Sequence, residues 1–262
     1  MSHAEDSVSL SIESAVAVVT LNRPRVLNAI DANAAAAFAA VMDRLASEPA
    51  VRALLLVGEG RSFCAGGDVA RFAGSDPASA IDAIIDPLHR GLRTLDRLGI
   101  PSVAAVQGAA AGAGFSLAIA CDFCIAAENA VFTLAYPRLG ASPDGSATYH
   151  LPRLVGRRKA LELAILSKPL PAAEALALGL VNRVVPTAAL REEAQGLALR
   201  LAAGPTAAYA RIKDLIGSSL ANDLGSQLDR ERAAFLAGVN TADFAEGVAA
   251  LLAKRAPRFT GR

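Results

Sequence analysis

Short apolar runs, separated by turn residues, recur along the first half of the chain. The runs at residues 8–12 and 15–21, with Glu13-Ser14 between them, predict a β-hairpin. Buried strands are predicted for further runs at 53–57, 102–106, 123–126 and 131–134. Because helix-length segments separate several of these runs, the pattern predicts a mixed α/β fold.

Helical spacing of apolar residues marks the longer segments. One helix is predicted to begin at a cap formed by Asp31 or Asn33 and to end near Ser47. A second long helix is predicted over residues 77–98, where isoleucines and leucines recur every three or four positions. A short buried helix is predicted over residues 115–120.

The pattern becomes helical in the last third of the chain. Residues 172–186 predict a helix, a glycine stop and a last strand, and no strand is predicted after them. The helices that follow are predicted at 190–203, 206–217, 219–236 and 241–255. We therefore expect an α/β core over residues 1–200 and an all-helical region over 201–262, which covers the core or forms an oligomer interface.

Composition narrows the class of protein. The chain has 262 residues, of which 53% are hydrophobic and 19% charged, so it can bury a large core and is not intrinsically disordered. Its net charge of +1 gives no electrostatic reason to expect a nucleic acid or an anionic membrane as partner. Aromatic residues make up only 5%, which argues against a base-stacking platform.

Two segments bear on cellular location. Residues 1–10 lack a basic region followed by an apolar one, so no secretory signal is expected. Residues 98–121 form a charge-free stretch of 24 residues, long enough to span a bilayer, but it contains Pro101, Gln107 and four glycines. A buried strand, loop and helix fits this stretch better, and a cytoplasmic location is expected.

The cysteines and histidines predict no metal or redox site. Three cysteines are an odd number, and the Cys121-x-x-Cys124 pair lies where a helix is expected to run into a strand, whereas a redox motif opens a helix. None of His3, His89 and His150 has ligand spacing to this pair. Buried, inert thiols in a reducing compartment are expected.

Two loops of small residues hold the most informative chemistry. Residues 62–68 and 108–114 each follow a predicted strand, and the second opens a predicted helix. Small residues allow a ligand to approach backbone N–H groups, and a helix start favours an anionic oxygen. Two converging N–H donors would form an oxyanion hole, although both loops could equally be tight packing turns. Neither has the glycine spacing of a dinucleotide site or a phosphate-binding loop.

Six segments together resemble one protein family, in the same order and over nearly the whole chain. They are LNRPRVLNAI, SFCAGGDV, PSVAAVQGAAAGAGFSLAIACDFCIA, AYPRLGASPDGSATYHLPRLVG, AAEALALGLVNRVVP and EGVAALLAKRAPRF. They are similar to the enoyl-CoA hydratase/isomerase, or crotonase, superfamily. The resemblance implies an α/β, crotonase-like spiral of ββα units with a C-terminal helical trimerisation region, assembled as a homotrimer or a dimer of trimers.

The same resemblance implies an acyl-CoA thioester as the small-molecule substrate, with coenzyme A as part of that substrate and no separate cofactor. By position, the backbone N–H groups of Ala65 and Ala113 would hold the thioester carbonyl. The substrate-binding positions would be Ala65, Gly66, Gly67, Asp68, Gly112, Ala113, Ser116 and Tyr136. Arg25 would meet a coenzyme A phosphate, or else remain a solvated loop arginine.

Three positions in this family face the acyl chain. Hydratases that resemble the founding members carry glutamates at the first two, where this chain has Ser116 and Tyr136. The third position is Asp144, where some isomerases and a dehalogenase branch carry their working carboxylate. The surrounding residues are most similar to the bacterial ring-1,2-epoxyphenylacetyl-CoA isomerase branch. Asp144 in a Pro-Asp-Gly turn could also simply cap the next helix.

One carboxylate suffices for moving a double bond, because it can take a proton from C2 and return it at C4. The sequence therefore predicts an enoyl-CoA isomerase with Asp144 as its base. Three alternatives stay open. They are a hydratase with water held by Tyr136, Ser116 or Asp144, a hydrolase or dehalogenase with Asp144 as nucleophile, and an acyl-CoA-binding protein without chemistry.

Overall fold

The computed structural model describes residues 7–262. His3 and most of the segment that bears on a secretory signal lie outside these residues. The strands are β1 Val8–Glu13, β2 Val16–Leu21, β3 Ala53–Gly58, β4 Ser102–Val106, β5 Ala109–Ala111, β6 Phe123–Ala127, β7 Val131–Thr133, β8 Leu170–Pro171 and β9 Arg183–Val185. The α-helices are α1 Ala32–Ala46, α2 Pro77–Arg97, α3 Ala113–Ala120, α4 Ala147–Leu166, α5 Ala172–Ala177, α6 Leu190–Ala202, α7 Thr206–Ser218, α8 Leu224–Val239 and α9 Ala242–Leu252.

Two sheets organise the core. The larger has the order β1-β2-β3-β4-β6-β9, and all its neighbours are parallel except the β1–β2 pair. The smaller has the order β5-β7-β8. Strand β4 of the large sheet is followed by β5 of the small one and then by α3, and β6, β7 and α4 repeat that order. The expected α/β class and the ββα repeat are thus confirmed.

The large sheet is buried on both faces. Side chains that alternate along β2, β3, β4 and β6 separate into two clusters, one with α1–α4 and the small sheet, and one with α6. Burial on both faces is why these strands are continuous apolar runs rather than alternating ones.

The hairpin and the two long helices largely match their predictions. Helix α1 begins at Asp31, whose side chain accepts the Ala34 N–H at 2.9 Å. The hairpin turn lies at Ser14-Ala15 rather than at Glu13-Ser14, because Glu13 still pairs with Val16. Both turn residues have positive φ, +51° and +61°. Such a two-residue turn matches the twist of the flanking strands.

Strands β5 and β8 and helix α4 are elements that the sequence pattern does not predict. The small-residue stretch 108–114 was expected to be a loop, but its alanines form β5, which pairs with β7. Helix α4 contains Pro152 and bends at Gly156, which has φ +74° and ψ 160°, so its apolar spacing is interrupted. For β5, the pairing with β7 overrides a weak local preference.

The charge-free stretch at 98–121 folds as β4, β5 and α3, with most of its residues buried. Among the described residues, no single helix is long and apolar enough to cross a membrane. Helices α8 and α9, which meet at a bend of 81°, pass that test of length and composition only when taken together.

Helices α7–α9 follow the last strand, as predicted, but the helix expected over 219–236 begins later. A 3-10 helix covers Ser219–Ala221, and α8 starts after Asp223, whose side chain accepts the Ser226 N–H at 2.9 Å. Neither α7 nor α8 contains a buried residue. The expected boundary at 200/201 lies within α6, which packs on the sheet, and the division into two regions stays a prediction.

Candidate active site

The two small-residue loops run side by side where β3 and β4 end. The Cys64 N–H donates to the Ala109 carbonyl at 3.0 Å, and the Ala111 N–H donates to the Cys64 carbonyl at 2.9 Å. These two bonds form a parallel bridge between Cys64 and Ala110. The loops therefore hold each other in a fixed register.

Glycine is required where the loops touch. Gly66 has φ +96°, and a Cβ built on it would lie 2.8 Å from the Ala111 carbonyl oxygen. Gly112 has φ +51°, and a Cβ built there would lie 3.8 Å from the Cα of Gly66. Any other residue at Gly66 would strain the backbone and push the loops apart.

Between Cys64 and Asp68, the first loop has one backbone N–H without an acceptor among the described residues. The Ala65 N–H donates to the Leu27 carbonyl at 2.9 Å, so it is not free to bind a ligand. Within residues 7–262, the Gly67 N–H has no hydrogen-bond acceptor. The geometry therefore does not support Ala65 as a donor, and it makes Gly67 the candidate in its place.

The second loop opens helix α3. Its Ala113, Gly114 and Phe115 N–H groups have no acceptor in the described part of the chain, and the Ser116 N–H is the first to bond, to the Gly112 carbonyl at 3.1 Å. Free N–H groups at a helix start carry partial positive charge. Ala113, which directly follows Gly112, therefore has a free N–H, and its role as a donor to a ligand stays a prediction.

Ser116, Tyr136 and Asp144, the three positions expected to face an acyl chain, lie together near this helix start. The Ser116 hydroxyl donates to the Asp144 backbone carbonyl at 3.1 Å, and the Tyr136 hydroxyl donates to the Asp144 carboxylate. A Cβ built on Gly145 would lie 3.2 Å from the Ser116 Cβ and 4.0 Å from the Ala113 Cα. A carboxylate and a free N–H donor are therefore brought into one site.

Tyr136 is a hydrogen-bond donor in this arrangement. Burial raises the pKa of its phenol, and the neighbouring Asp144 carboxylate raises it further. The hydroxyl therefore keeps its proton and orients the carboxylate. Ser116 is fully buried, and its hydroxyl donates a hydrogen bond to the Asp144 backbone carbonyl. Neither Tyr136 nor Ser116 is therefore placed as a base.

The alternative that Asp144 caps a helix does not match the geometry. The residue before α4 is Ser146, and no side chain caps the first turn of that helix. Only the backbone carbonyl of Asp144 bonds there, accepting the Ala147 N–H at 3.3 Å. Its carboxylate accepts from Tyr136 instead.

His89 was not identified from the sequence as part of this site. It lies on α2, and its Nε2 accepts the Gly145 N–H at 3.3 Å. His150, which is closer to Asp144 in sequence, has no hydrogen bond to it, and burial lowers the pKa of His150. A contact made across 56 residues leaves no local signal in the sequence.

The remaining predicted residues lie around the first loop. Asp68 is 3.5 Å from the Arg23 guanidinium, so its carboxylate is already paired. Arg25 is exposed in the 3-10 helix Pro24–Val26, with no ion pair or hydrogen bond to any described residue. Arg25 is therefore free to meet an anionic group.

The cysteine thiols are mostly buried and free, close to the buried, inert thiols expected from the sequence. Burial raises the pKa of the Cys64 and Cys121 thiols to about 12, and it raises that of Cys124 as well. The protonated, unreactive form is therefore favoured at neutral pH. Among the described residues, no three His, Cys, Asp or Glu side chains are grouped so that they could hold a metal ion.

Comparison with known sequences gives consistent matches. A sequence profile of the enoyl-CoA hydratase/isomerase family matches residues 11–262. The chain is 40% identical over 254 residues to 1,2-epoxyphenylacetyl-CoA isomerase of Escherichia coli, covering 96% of this chain and 97% of that protein. It is 39% identical over 260 residues to a probable enoyl-CoA hydratase of Rhodobacter capsulatus, covering 98% of each.

Comparison with solved structures gives the same result. A putative enoyl-CoA hydratase/isomerase from Mycobacterium abscessus matches with a TM-score of 0.93 at 34% identity, over 97% of this chain and 100% of that one. An enoyl-CoA hydratase from Polaromonas matches with a TM-score of 0.91 at 37% identity, over 96% and 99%. The expected crotonase-like fold is confirmed by these matches.

Proposed function

This chain belongs to the enoyl-CoA hydratase/isomerase family, and on that premise we propose that it moves a double bond within an enoyl-CoA, with Asp144 as its single acid–base group. Relatives carry the names of both isomerases and hydratases, so family membership leaves the reaction open. The choice between them rests on the side chains of the site.

The thioester carbonyl oxygen binds the free N–H groups of Gly67 and Ala113. Removing a proton from C2 moves negative charge onto this oxygen, where fixed donors stabilise it. Gly67 takes the place first expected of Ala65, because the Ala65 N–H already bonds to Leu27. Ala113 adds the positive end of helix α3.

The proton moves through Asp144. In a 3-enoyl-CoA, the carboxylate takes a proton from C2, the C3–C4 double bond electrons shift, and the same proton returns at C4 to leave a 2-enoyl-CoA. Tyr136 holds the carboxylate in place and stays neutral throughout. The reaction is balanced and needs no water or cofactor.

The observation that carries this proposal is the set of side chains at the three acyl-facing positions. Only Asp144 among Ser116, Tyr136 and Asp144 is an acid, and it lies beside the free N–H of α3. Hydration by the two-glutamate route needs two carboxylates, one to activate the water and one to deliver a proton to the substrate. Each such group contributes about 10² to 10⁴ in rate. The site therefore favours isomerisation over hydration.

Incubation with 3-enoyl-CoA and, separately, with 2-enoyl-CoA tests the reaction, with products identified by mass and chromatography. We expect conversion of the 3-enoyl to the 2-enoyl thioester at constant mass. Rapid gain of one water by the 2-enoyl substrate would instead support a hydratase. Label from ¹⁸O water in the Asp144 carboxylate after one turnover would support a nucleophilic aspartate, and tight binding without turnover of any acyl-CoA would support a binding protein.

We also propose that the C-terminal helices join copies of this chain. Six large apolar side chains there are about two thirds or more exposed in the single chain. They are Ile216, Leu220, Leu224, Phe235, Leu251 and Leu252. Such a density of exposed apolar groups marks an interface, and the family resemblance implies a trimer or a dimer of trimers.

Replacing Phe235 with aspartate is expected to shift the protein to a smaller species, because it puts a charge into that apolar face. Sedimentation velocity measures the change. Leu199→Asp, on the exposed side of α6, is the matched control and should sediment like the wild type. Unchanged sedimentation of the Phe235 variant would contradict the proposed interface.

A further inference from the structure

Asn28 has a buried side chain that bonds both the first loop and the residues just before it. It is only 2% exposed, and its Nδ2 donates to the carbonyls of Glu59, Ser62 and Phe63 at 2.9, 2.8 and 3.1 Å. Its Oδ1 accepts the Arg23 N–H at 2.9 Å. A buried amide is favourable only when it is bonded in this way, so the side chain fastens its own turn to the segment that follows β3.

The backbone at this turn is left-handed. Leu27 and Asn28 have φ of +55° and +57°, a conformation that most residues avoid and asparagine tolerates. It directs the Leu27 carbonyl to the Ala65 N–H at 2.9 Å, and the Asn28 carbonyl to the Cys64 thiol at 3.2 Å. The turn therefore fixes the backbone of the loop that it faces.

Ile30, which follows this turn, bonds the Gly66 carbonyl and the Asp68 N–H, the groups on either side of Gly67. The Ile30 N–H donates to the Gly66 carbonyl at 2.7 Å, and the Asp68 N–H donates to the Ile30 carbonyl at 2.8 Å. The Gly66 N–H is directed at the Cys64 sulfur at 3.4 Å. Within the described residues, Gly67 alone in this stretch keeps a free N–H, and bonds on both sides fix its direction.

Arg23 connects the start of this turn to the first loop through ion pairs. Its guanidinium lies 2.9 Å from the Asp31 carboxylate and 3.5 Å from that of Asp68, and all three side chains are mostly buried. The backbone of Arg23 is the partner of Asn28. Both ends of the turn are thus tied to the loop that contains Gly67.

We infer that Asn28 is a positioning residue that holds the Gly67 N–H where the thioester oxygen binds. The inference rests on the proposed function, in which that N–H stabilises the enolate. Catalysis by fixed donors depends on their position before the reaction starts, so loss of the Asn28 amide should weaken catalysis without removing a group that touches substrate.

Asn28→Gly tests this inference, because glycine keeps the left-handed backbone and removes only the amide. The first measurement is the absorbance of a bound arylacryloyl-CoA, whose conjugated carbonyl absorbs at longer wavelength when its oxygen is hydrogen-bonded. The variant should lose most of this red shift, and its kcat should fall by about tenfold or more, less than removal of the whole donor. Affinity for coenzyme A alone, which has no thioester carbonyl, should be unchanged.

Ser102→Ala is the matched control. Ser102 is also 2% exposed, and its hydroxyl donates to the Asp122 carboxylate at 2.8 Å, but it lies at the start of β4, at the opposite end from the site. This variant also loses a buried hydrogen bond and should keep the red shift and kcat. Asn28→Ser, which retains one hydroxyl donor, is measured in parallel in case the glycine variant does not fold.

The outcomes separate the inference from the proposed function. A folded Asn28 variant with the red shift and kcat of the wild type would overturn the inference, and so would an equal loss in the Ser102 variant. Wild-type protein that shows the red shift but isomerises no enoyl-CoA would contradict the proposed reaction only, and the red shift of the variants would still decide the role of Asn28. Wild-type protein without any red shift would overturn the assignment of the Gly67 N–H to the thioester oxygen and, with it, the role of Asn28, whereas the product assay alone decides the reaction.

Discussion

Asp144→Asn is expected to lower isomerisation of 3-enoyl-CoA by about 10² to 10⁴, the range that a general acid–base group contributes. An amide cannot take up the C2 proton, but its oxygen can still accept the Tyr136 hydroxyl, so the local structure should persist. The measurement is kcat/KM for conversion to the 2-enoyl thioester, together with the dissociation constant of coenzyme A. The binding constant should not change.

Asp223→Asn is the control for this substitution. Asp223 caps α8 by accepting the Ser226 N–H, which asparagine can do equally well, and it lies in the C-terminal helices. It should retain wild-type turnover. Near-wild-type turnover in the Asp144 variant would contradict the single-carboxylate mechanism and would leave the reaction to another group.

Local sequence signals predict the parts of the fold that local chemistry determines. The cap at Asp31 and the stop before Pro101 delimit the first two helices, and continuous apolar runs predict the buried strands of the large sheet. The positions of the two small-residue loops are predicted in the same way, because each loop comes directly after a predicted strand. These signals are sufficient to bring Gly67 and Ala113 into the same region.

The remaining features depend on contacts between distant segments. Composition cannot show that Ala65 is occupied and Gly67 is free, because the deciding acceptor is Leu27, on a left-handed turn 38 residues earlier in the chain. Likewise, His89 reaches Gly145 from another helix. Family resemblance brought Tyr136 and Asp144 into consideration, but only the structure shows that one bonds the other.

Ala113→Pro is expected to lower turnover by about 10² to 10³, the usual effect of removing one oxyanion-hole donor. Proline has no N–H, yet it is well tolerated at the first position of a helix, and the preceding Gly112 lacks the Cβ that a proline ring would strike. Helix α3 should therefore form while the donor is lost. Circular dichroism and kcat measure the two effects separately.

Ala242→Pro, at the first position of α9, controls for proline itself and should retain turnover. Comparison of Ala113→Pro with Asp144→Asn then separates stabilisation of the enolate oxygen from transfer of the proton. The Asp144 variant keeps both N–H donors and should retain the red shift of a bound arylacryloyl-CoA, whereas the Ala113 variant should lose it. Because both variants lose turnover for different reasons, equal red shifts in the two would show that Ala113 does not contact the thioester oxygen.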